Sequence, residues 1–339
     1  MNRTERMRLI KKIEEETKSR MLIYITGDRK NLETKIATDV FPFITNHLNK
    51  FQEEYGVEHI SLFIYSTGGL IVAGFALVNL IREYCKKFTA IVPFKAHSCA
   101  TLLTFGANNI IMSKLGQFTP IDPSISSPLG PKIDLPNIPS RTIPVNVEDL
   151  NAYIDMAKSL GISKQEYLCS IFEYLTENIH PLVLGQSYRV REQIKFLAAN
   201  LLKSAGYSED EINKIVDIFT VGRYSHDYVI SRREAKEIFG LKIADISSSL
   251  EADIFELFQG YSEMLKLSIP YSLDLILGES DEVTAALDSA IIESTDLTYV
   301  FRTERKVERV QLVPPQVPAP QLIPMERIIR QEWMLDNRV

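Results

Sequence analysis

Ile60-Ser61-Leu62-Phe63-Ile64-Tyr65-Ser66-Thr67-Gly68-Gly69 opens the stretch that decides the fold, which runs from His59 to Asp122. One helix and one strand later it continues with Ala96-His97-Ser98-Cys99-Ala100-Thr101-Leu102-Leu103. Ile60 to Tyr65 is a short apolar run of the kind that forms a buried strand. It stops at Ser66-Thr67-Gly68-Gly69, and the long apolar segment Leu70 to Tyr84 then predicts a helix closed by Cys85-Lys86-Lys87. A glycine pair at such a junction allows positive φ and lets a ligand approach the main chain closely. The first amides of the next helix point outward without intrahelical partners, where they can bind a phosphate or hold an oxyanion. The same residues also read as an ordinary strand-to-helix turn. Phe88 to Pro93 is a second β-like run, and Ser98 lies between it and small or apolar residues reaching Phe105. A serine there is placed like a nucleophile at a strand-to-helix turn, although the surrounding sequence is not a G-x-S-x-G elbow. Serine is equally a favoured helix N-cap, and the two roles are compatible.

Outward from this stretch, strand and helix patterns alternate from Met21 to Asp122, which predicts a parallel α/β sheet. Met1 to Arg20 has Met7, Leu9, Ile10 and Ile13 at helical spacing and reads as an amphipathic surface helix. Met21 to Thr26 is β-like, and Asp39 to Tyr55 is a helix that packs on the sheet. Prolines crowd Asp122 to Val145, where regular structure is expected only as a short edge strand at Arg141 to Pro144. Val147 to Thr176 reads as a long helix broken at Gly161-Ile162-Ser163, and another runs from His180-Pro181 to about Ser204. Ser208 to Phe219 is a helix with a Ser208/Glu211 capping box, Ser231 to Phe239 a further one, and Asp253 to Leu267 a third. Ala285 to Ser294 and Leu297 to Val310 are extended. Val313 to Pro324 is a proline-rich linker, and Met325 to Val339 a short terminal helix with the one tryptophan, Trp333.

Composition sets bounds. With 45% hydrophobic and 24% charged residues, 339 residues support a substantial core in one large or two small domains. A formal charge of -6 disfavours a nucleic-acid partner. Three cysteines without paired spacing point to a reducing compartment and make no zinc pattern. No apolar run is long enough to span a bilayer and no signal peptide is visible, so the expected location is cytoplasmic. No cofactor is expected: the chain has no P-loop Lys/Ser signature, and any ATP dependence falls to a partner protein.

Gly68-Gly69, then Ser98, then Asn109 to Met112 as a strand, then Gly116-Gln117-Phe118-Thr119-Pro120-Ile121-Asp122-Pro123 together resemble the Clp protease and crotonase superfamily. Within it the chain resembles the serine dehydrogenase proteinase (SDH-type) family of Clp-like serine proteases. Ile179-His180-Pro181-Leu182, Leu184-Gly185, Arg189 and Tyr224-Ser225-His226-Asp227-Tyr228 extend that likeness, which runs from roughly Leu22 to Arg309. The resemblance implies an α/β fold of repeated ββα units, a handle helix that packs subunits into a homo-oligomer, and a C-terminal helical extension. The domains expected are 1–20 as the amphipathic helix, 21–205 as the catalytic part, 206–312 as a helical and extended part, and 313–339 as linker and terminal helix. The implied activity is a serine peptidase acting on peptides or proteins, with the amides of Gly69 and Cys99 as oxyanion hole and Gly68 making the turn possible.

A nucleophilic serine needs a base and a group that orients the base. Clp-type proteases place a histidine soon after the nucleophile and an aspartate after the handle. Here the first place holds Pro120-Ile121-Asp122-Pro123 without histidine, and the second holds His180. The expected constellation is therefore swapped: Ser98 attacks, His180 takes the proton and Asp122 orients the imidazole. His226, beside Asp227, and Lys132, at a spacing reminiscent of Ser–Lys members, are the alternative bases. His180 also reads as a helix-terminal residue bonded to backbone, and His47 and His59 read as surface residues. Two other readings stay open: a crotonase-like enzyme on acyl thioesters, with Asp122 as acid or base, and a non-catalytic oligomeric scaffold.

Overall fold

The computed structural model describes residues 1–121, 124–135, 138–220, 228–312 and 321–338. They fall into two compact units: residues 1–118 with 230–339, and residues 119–229. This division differs from the boundaries expected from sequence, because the last third of the chain rejoins the first.

The first unit begins with α1 (Arg3–Thr17), β1 (Arg20–Thr26), α2 (Phe41–Tyr55), β2 (His59–Tyr65), α3 (Ile71–Tyr84) and β3 (Lys87–Val92). It continues with β4 (Lys95–Ala96), α4 (Cys99–Phe105), β5 (Asn109–Met112) and β6 (Gln117–Phe118). The second unit holds β7 (Ser124–Ile125), β8 (Lys132–Leu135), β9 (Ile138–Thr142), β10 (Val145–Asn146), α5 (Val147–Ser159), α6 (Gln165–Asn178), α7 (Pro181–Ser204) and α8 (Glu209–Thr220). The chain re-enters the first unit at β11 (Ile230–Ser231), then forms α9 (Arg232–Glu237), α10 (Ser248–Met264), α11 (Leu273–Leu277), β12 (Glu282–Glu293), β13 (Thr298–Leu312) and β14 (Gln321–Leu335).

The main sheet has the order β14-β13-β12-β1-β2-β3-β5. β1, β2, β3 and β5 are mutually parallel, as the strand–helix alternation predicts, and β12 to β14 add antiparallel strands on the β1 side. The parallel strands are buried on both faces, which explains their unbroken apolar runs. Met21, Ile23 and Ile25 of β1 pack with Leu9, Ile10 and Ile13 of α1 and with Leu257 and Tyr261 of α10. The alternate residues Leu22 and Tyr24 are fully buried on the opposite face. Within the first layer Arg6 and Glu293 form a buried two-point ion pair at 2.8 and 2.9 Å, and Thr298 Oγ1 also donates to Glu293 at 2.8 Å.

Three expectations need correction. Residues 321–335 form the strand β14 rather than linker and helix, because β13 offers an antiparallel partner from Tyr299 to Leu312. The C-terminal part is accordingly helices followed by strands, not a helical extension. Residues 132–135 and 138–142 pair as the antiparallel strands β8 and β9, with Pro139 within β9; an isolated two-stranded ribbon has an open edge on each strand, where proline is tolerated. His47 is not on the surface: it is fully buried, with Nδ1 2.8 Å from Ser294 Oγ. The helical break expected at Gly161 to Ser163 falls between α5 and α6.

Candidate active site

β2 ends at Tyr65, and the chain turns through Ser66, Thr67, Gly68 and Gly69 before α3 starts. Ser66 is fully buried and lies in a parallel bridge with Ala96 of β4: Ser66 N–H donates to Lys95 O at 2.9 Å, and His97 N–H donates to Ser66 O at 3.0 Å. The two stretches singled out in the sequence are thus joined by main-chain hydrogen bonds directly before Ser98.

Ser98 is the N-cap of α4 and has φ 51° and ψ -114°. A non-glycine residue with positive φ is uncommon and stores strain, which concentrates at functional sites. The expected capping role is not what holds it, since its side chain makes no cap hydrogen bond. Ser98 is half-exposed, whereas Cys99 and the rest of α4 are buried. Gly68 leans on it: a Cβ there would stand 3.0 Å from Ser98 Cβ and 3.4 Å from Ser98 Oγ. Gly69 approaches a different neighbour, for a Cβ there would lie 2.1 Å from Ile36 O. Ile36 N–H donates to Gly68 O at 2.9 Å and Leu70 N–H to Ile36 O at 2.8 Å. Among the described residues no acceptor engages the N–H of Gly69 or of Cys99. Burial pushes the Cys99 thiol up to about 12, and its Sγ donates to Leu70 O at 3.2 Å. A thiol held neutral and buried is packing, not a competing nucleophile.

The other expected residues lie elsewhere. His180 is the exposed N-cap of α7, and its Nδ1 accepts the Leu182 N–H at 3.2 Å, the backbone-bonded role read beside the catalytic one. Lys132 is exposed on β8. Asp122 and His226 lie outside the described residues. Ser98, Gly68, Gly69 and Cys99 belong to the first unit, and His180 and Lys132 to the second.

Three residues that sequence reading passed over support the glycine turn: Thr26, Ile36 and Ser66. Ser66 stood inside the quoted stretch but read as turn punctuation; Thr26 and Ile36 reach the turn only through tertiary pairing. Among the described residues no group of three or more His, Cys, Asp or Glu is placed to hold a metal ion, and no helix is long and apolar enough to cross a membrane.

Comparison with known proteins places this site in context. Residues 1–151 match the family model described as ClpP-like SDH-type serine proteinase. The protein MJ0137 of Methanocaldococcus jannaschii is 24% identical over 207 residues, covering 61% of this chain and 60% of that protein. MJ1495 of the same organism is 23% identical over 280 residues, covering 79% and 82%. The chain thus spans 60% of the length of the first relative and 82% of the second. Among solved structures, the 1510-N membrane-bound stomatin-specific protease superposes with a TM-score of 0.38 at 12% identity, over 68% of this chain and 83% of that one.

Proposed function

We propose that this chain, whose residues 1–151 match the ClpP-like SDH-type serine proteinases, is a serine peptidase that cleaves peptide bonds through Ser98. The observation that supports it is the backbone of Ser98: a half-exposed serine at φ 51°, on a strand-to-helix turn, with Gly68 against its side chain. A nucleophile presented at a sharp strained turn has this form.

In this reading Ser98 Oγ bonds to the scissile carbonyl carbon and its proton passes to a base. The negative charge that develops on the carbonyl oxygen is met by the Gly69 and Cys99 amides. The C–N bond then breaks, the amine leaves with a proton, and water releases the acyl group from Ser98. His180 is the assigned base and Asp122 its orienter. For His180 to serve, Nδ1 has to give up the Leu182 bond, because in a Ser–His–Asp relay that nitrogen carries the proton and donates it to the carboxylate. His226 and Lys132 are the alternatives.

By the same reading α5 and α6 take the place of the handle and the protein works as a homo-oligomer. All 14 residues of α6 are exposed or half-exposed, Tyr167, Phe172 and Tyr174 among them. An apolar surface of that kind is what a second copy would cover.

The test is labelling with a fluorophosphonate, read by intact mass on wild type and Ser98→Ala. The Ser98 Oγ–P bond forms, the P–F bond breaks, fluoride leaves and the hydroxyl proton goes to the base. One adduct per chain, absent from Ser98→Ala, is the expected result. Among His180→Asn, His226→Asn and Lys132→Ala, the variant that removes the base slows labelling by about 10²–10⁴-fold. A folded wild type that takes no adduct overturns the reading and favours a non-catalytic scaffold; an adduct that persists in Ser98→Ala overturns it by showing that another residue is the nucleophile.

A further inference from the structure

We propose that Ser66, backed by Thr26, is a positioning residue that aims the Gly69 amide at the oxyanion. The inference rests on the reading of Ser98 as nucleophile and goes beyond it, because neither hydroxyl touches the reacting atoms.

The argument starts from the peptide that joins Gly68 to Gly69. Its oxygen is Gly68 O and its hydrogen is on Gly69 N, and a trans peptide is planar, with these two pointing in opposite directions. Fixing the oxygen therefore fixes the direction of the N–H. Two donors hold that oxygen: Ile36 N–H at 2.9 Å and Ser66 Oγ at 3.2 Å. Two glycines in succession are the sequence least able to hold a peptide plane by sterics, since their φ values of 115° and 157° meet no Cβ of their own. The grip on the oxygen has to do what side-chain bulk cannot.

Ser66 Oγ is itself fixed from two further sides. It accepts the Gly68 N–H at 3.0 Å and the Thr26 Oγ1–H at 2.6 Å. With both lone pairs occupied, its one proton is directed at Gly68 O. The Gly68 N–H is consumed in the same ring, while the Gly69 N–H meets no acceptor among the described residues. Ser66 and Thr26 are both buried, so water does not compete for these bonds. The main chain of Ser66 also holds Lys95 and His97, on the approach to Ser98. One residue therefore ties the oxyanion amide to the turn that carries the nucleophile, the supporting arrangement that a preorganised site needs.

The experiment compares wild type, Ser66→Ala, Thr26→Val and Thr26→Ser by the concentration dependence of fluorophosphonate labelling. Amide hydrogen exchange across residues 66–70 is measured on the same proteins. Ser66→Ala should lower the limiting labelling rate by about 10–100-fold, part of the effect of losing an oxyanion donor, with the half-saturating concentration within about twofold. Thr26→Val should lower the same rate by a smaller factor, and Thr26→Ser, which keeps the donated proton, should recover most of it. Exchange at Gly68, whose N–H bonds to Ser66 Oγ, should quicken about tenfold in Ser66→Ala, as expected for one lost hydrogen bond. Full labelling speed in Ser66→Ala, or unchanged exchange there, overturns the proposal while the peptidase reading stands. A wild type that takes no label overturns both, and is told apart by that fact. If Ser66→Ala does not fold, Thr26→Val together with Thr26→Ser decides the matter, since a rate that ignores the Thr26 hydroxyl overturns the proposal.

Discussion

His47 shows what burial does to a single side chain. Its ring lies in the core with Nδ1 on Ser294 Oγ and its edge toward Tyr299, and burial lowers its pKa from 6.5 to about 3. The folded value lies below the unfolded one, so the unfolded chain binds the extra proton as the pH falls. Stability from this group is therefore intact above about pH 6.5 and is lost progressively as the pH falls toward 3, at ~1.4 kcal/mol per pH unit. Chemical unfolding at pH 7 and pH 5 checks it: the wild type should lose about 2 kcal/mol through this residue, and His47→Asn should show a shallower acid limb. An equal pH response in the two proteins would remove His47 as the cause. At this scale the reading of the sequence was uneven for a physical reason. Gly68, Gly69 and Ser98 carry signals in their own residue type, since glycine marks unusual φ and serine a helix start. His47 carries none, because a histidine on the apolar side of α2 looks the same in sequence whether a sheet covers it or water does.

Among the elements, β14 depends most on a partner. Its sequence, Gln321 to Leu335, places Leu322, Met325, Ile328 and Ile329 at spacings that suit a helix face as well as a strand. What decides is β13, which pairs with it along its length, with a register shift at Glu304/Arg305. Trp333 anchors the far end: its ring lies 5.4 Å from Phe301 and 5.8 Å from Phe43, and Nε1 donates to Asp39 at 3.0 Å. Trp333→Ala should cost about 1–3 kcal/mol, less than removing a fully buried aromatic because the ring is only half-buried. Trp333→Phe should cost less, ~1 kcal/mol, because it loses the bond to Asp39 and keeps an aromatic ring. Urea unfolding followed by circular dichroism measures both; equal costs would mean that the hydrogen bond, not the ring, holds the strand. Elements with strong internal periodicity, such as α1 to α3 and β1 to β3, could be read from local pattern. β14 and the strand pair β8–β9 could not, because their partner strands define them.

For the molecule as a whole, the chain leaves the first unit at β6 and returns at β11, and those two strands are antiparallel neighbours with Phe118 opposite Ile230. Such partners lie ~5 Å apart, a gap that a hairpin turn of about 2–4 residues closes. Replacing residues 119–229 with such a turn should leave a first unit that unfolds cooperatively, with the Arg6–Glu293 pair intact. Loss of a cooperative transition in that variant would show that the first unit needs the second in order to fold. The parallel centre of the sheet was legible because each of its crossovers is short and helical; the return of β12 to β1 was not, since no local pattern announces which edge a distant strand will join. That return also has a consequence in time. β1 is flanked by β2 on one side and β12 on the other, and about 250 residues separate the end of β1 from the start of β12. At ~5–20 residues per second, a ribosome needs about 10–50 s to cover that distance. For that interval the nascent chain carries a finished apolar strand with one edge bare, so the unit that is first to be started is among the last to be completed.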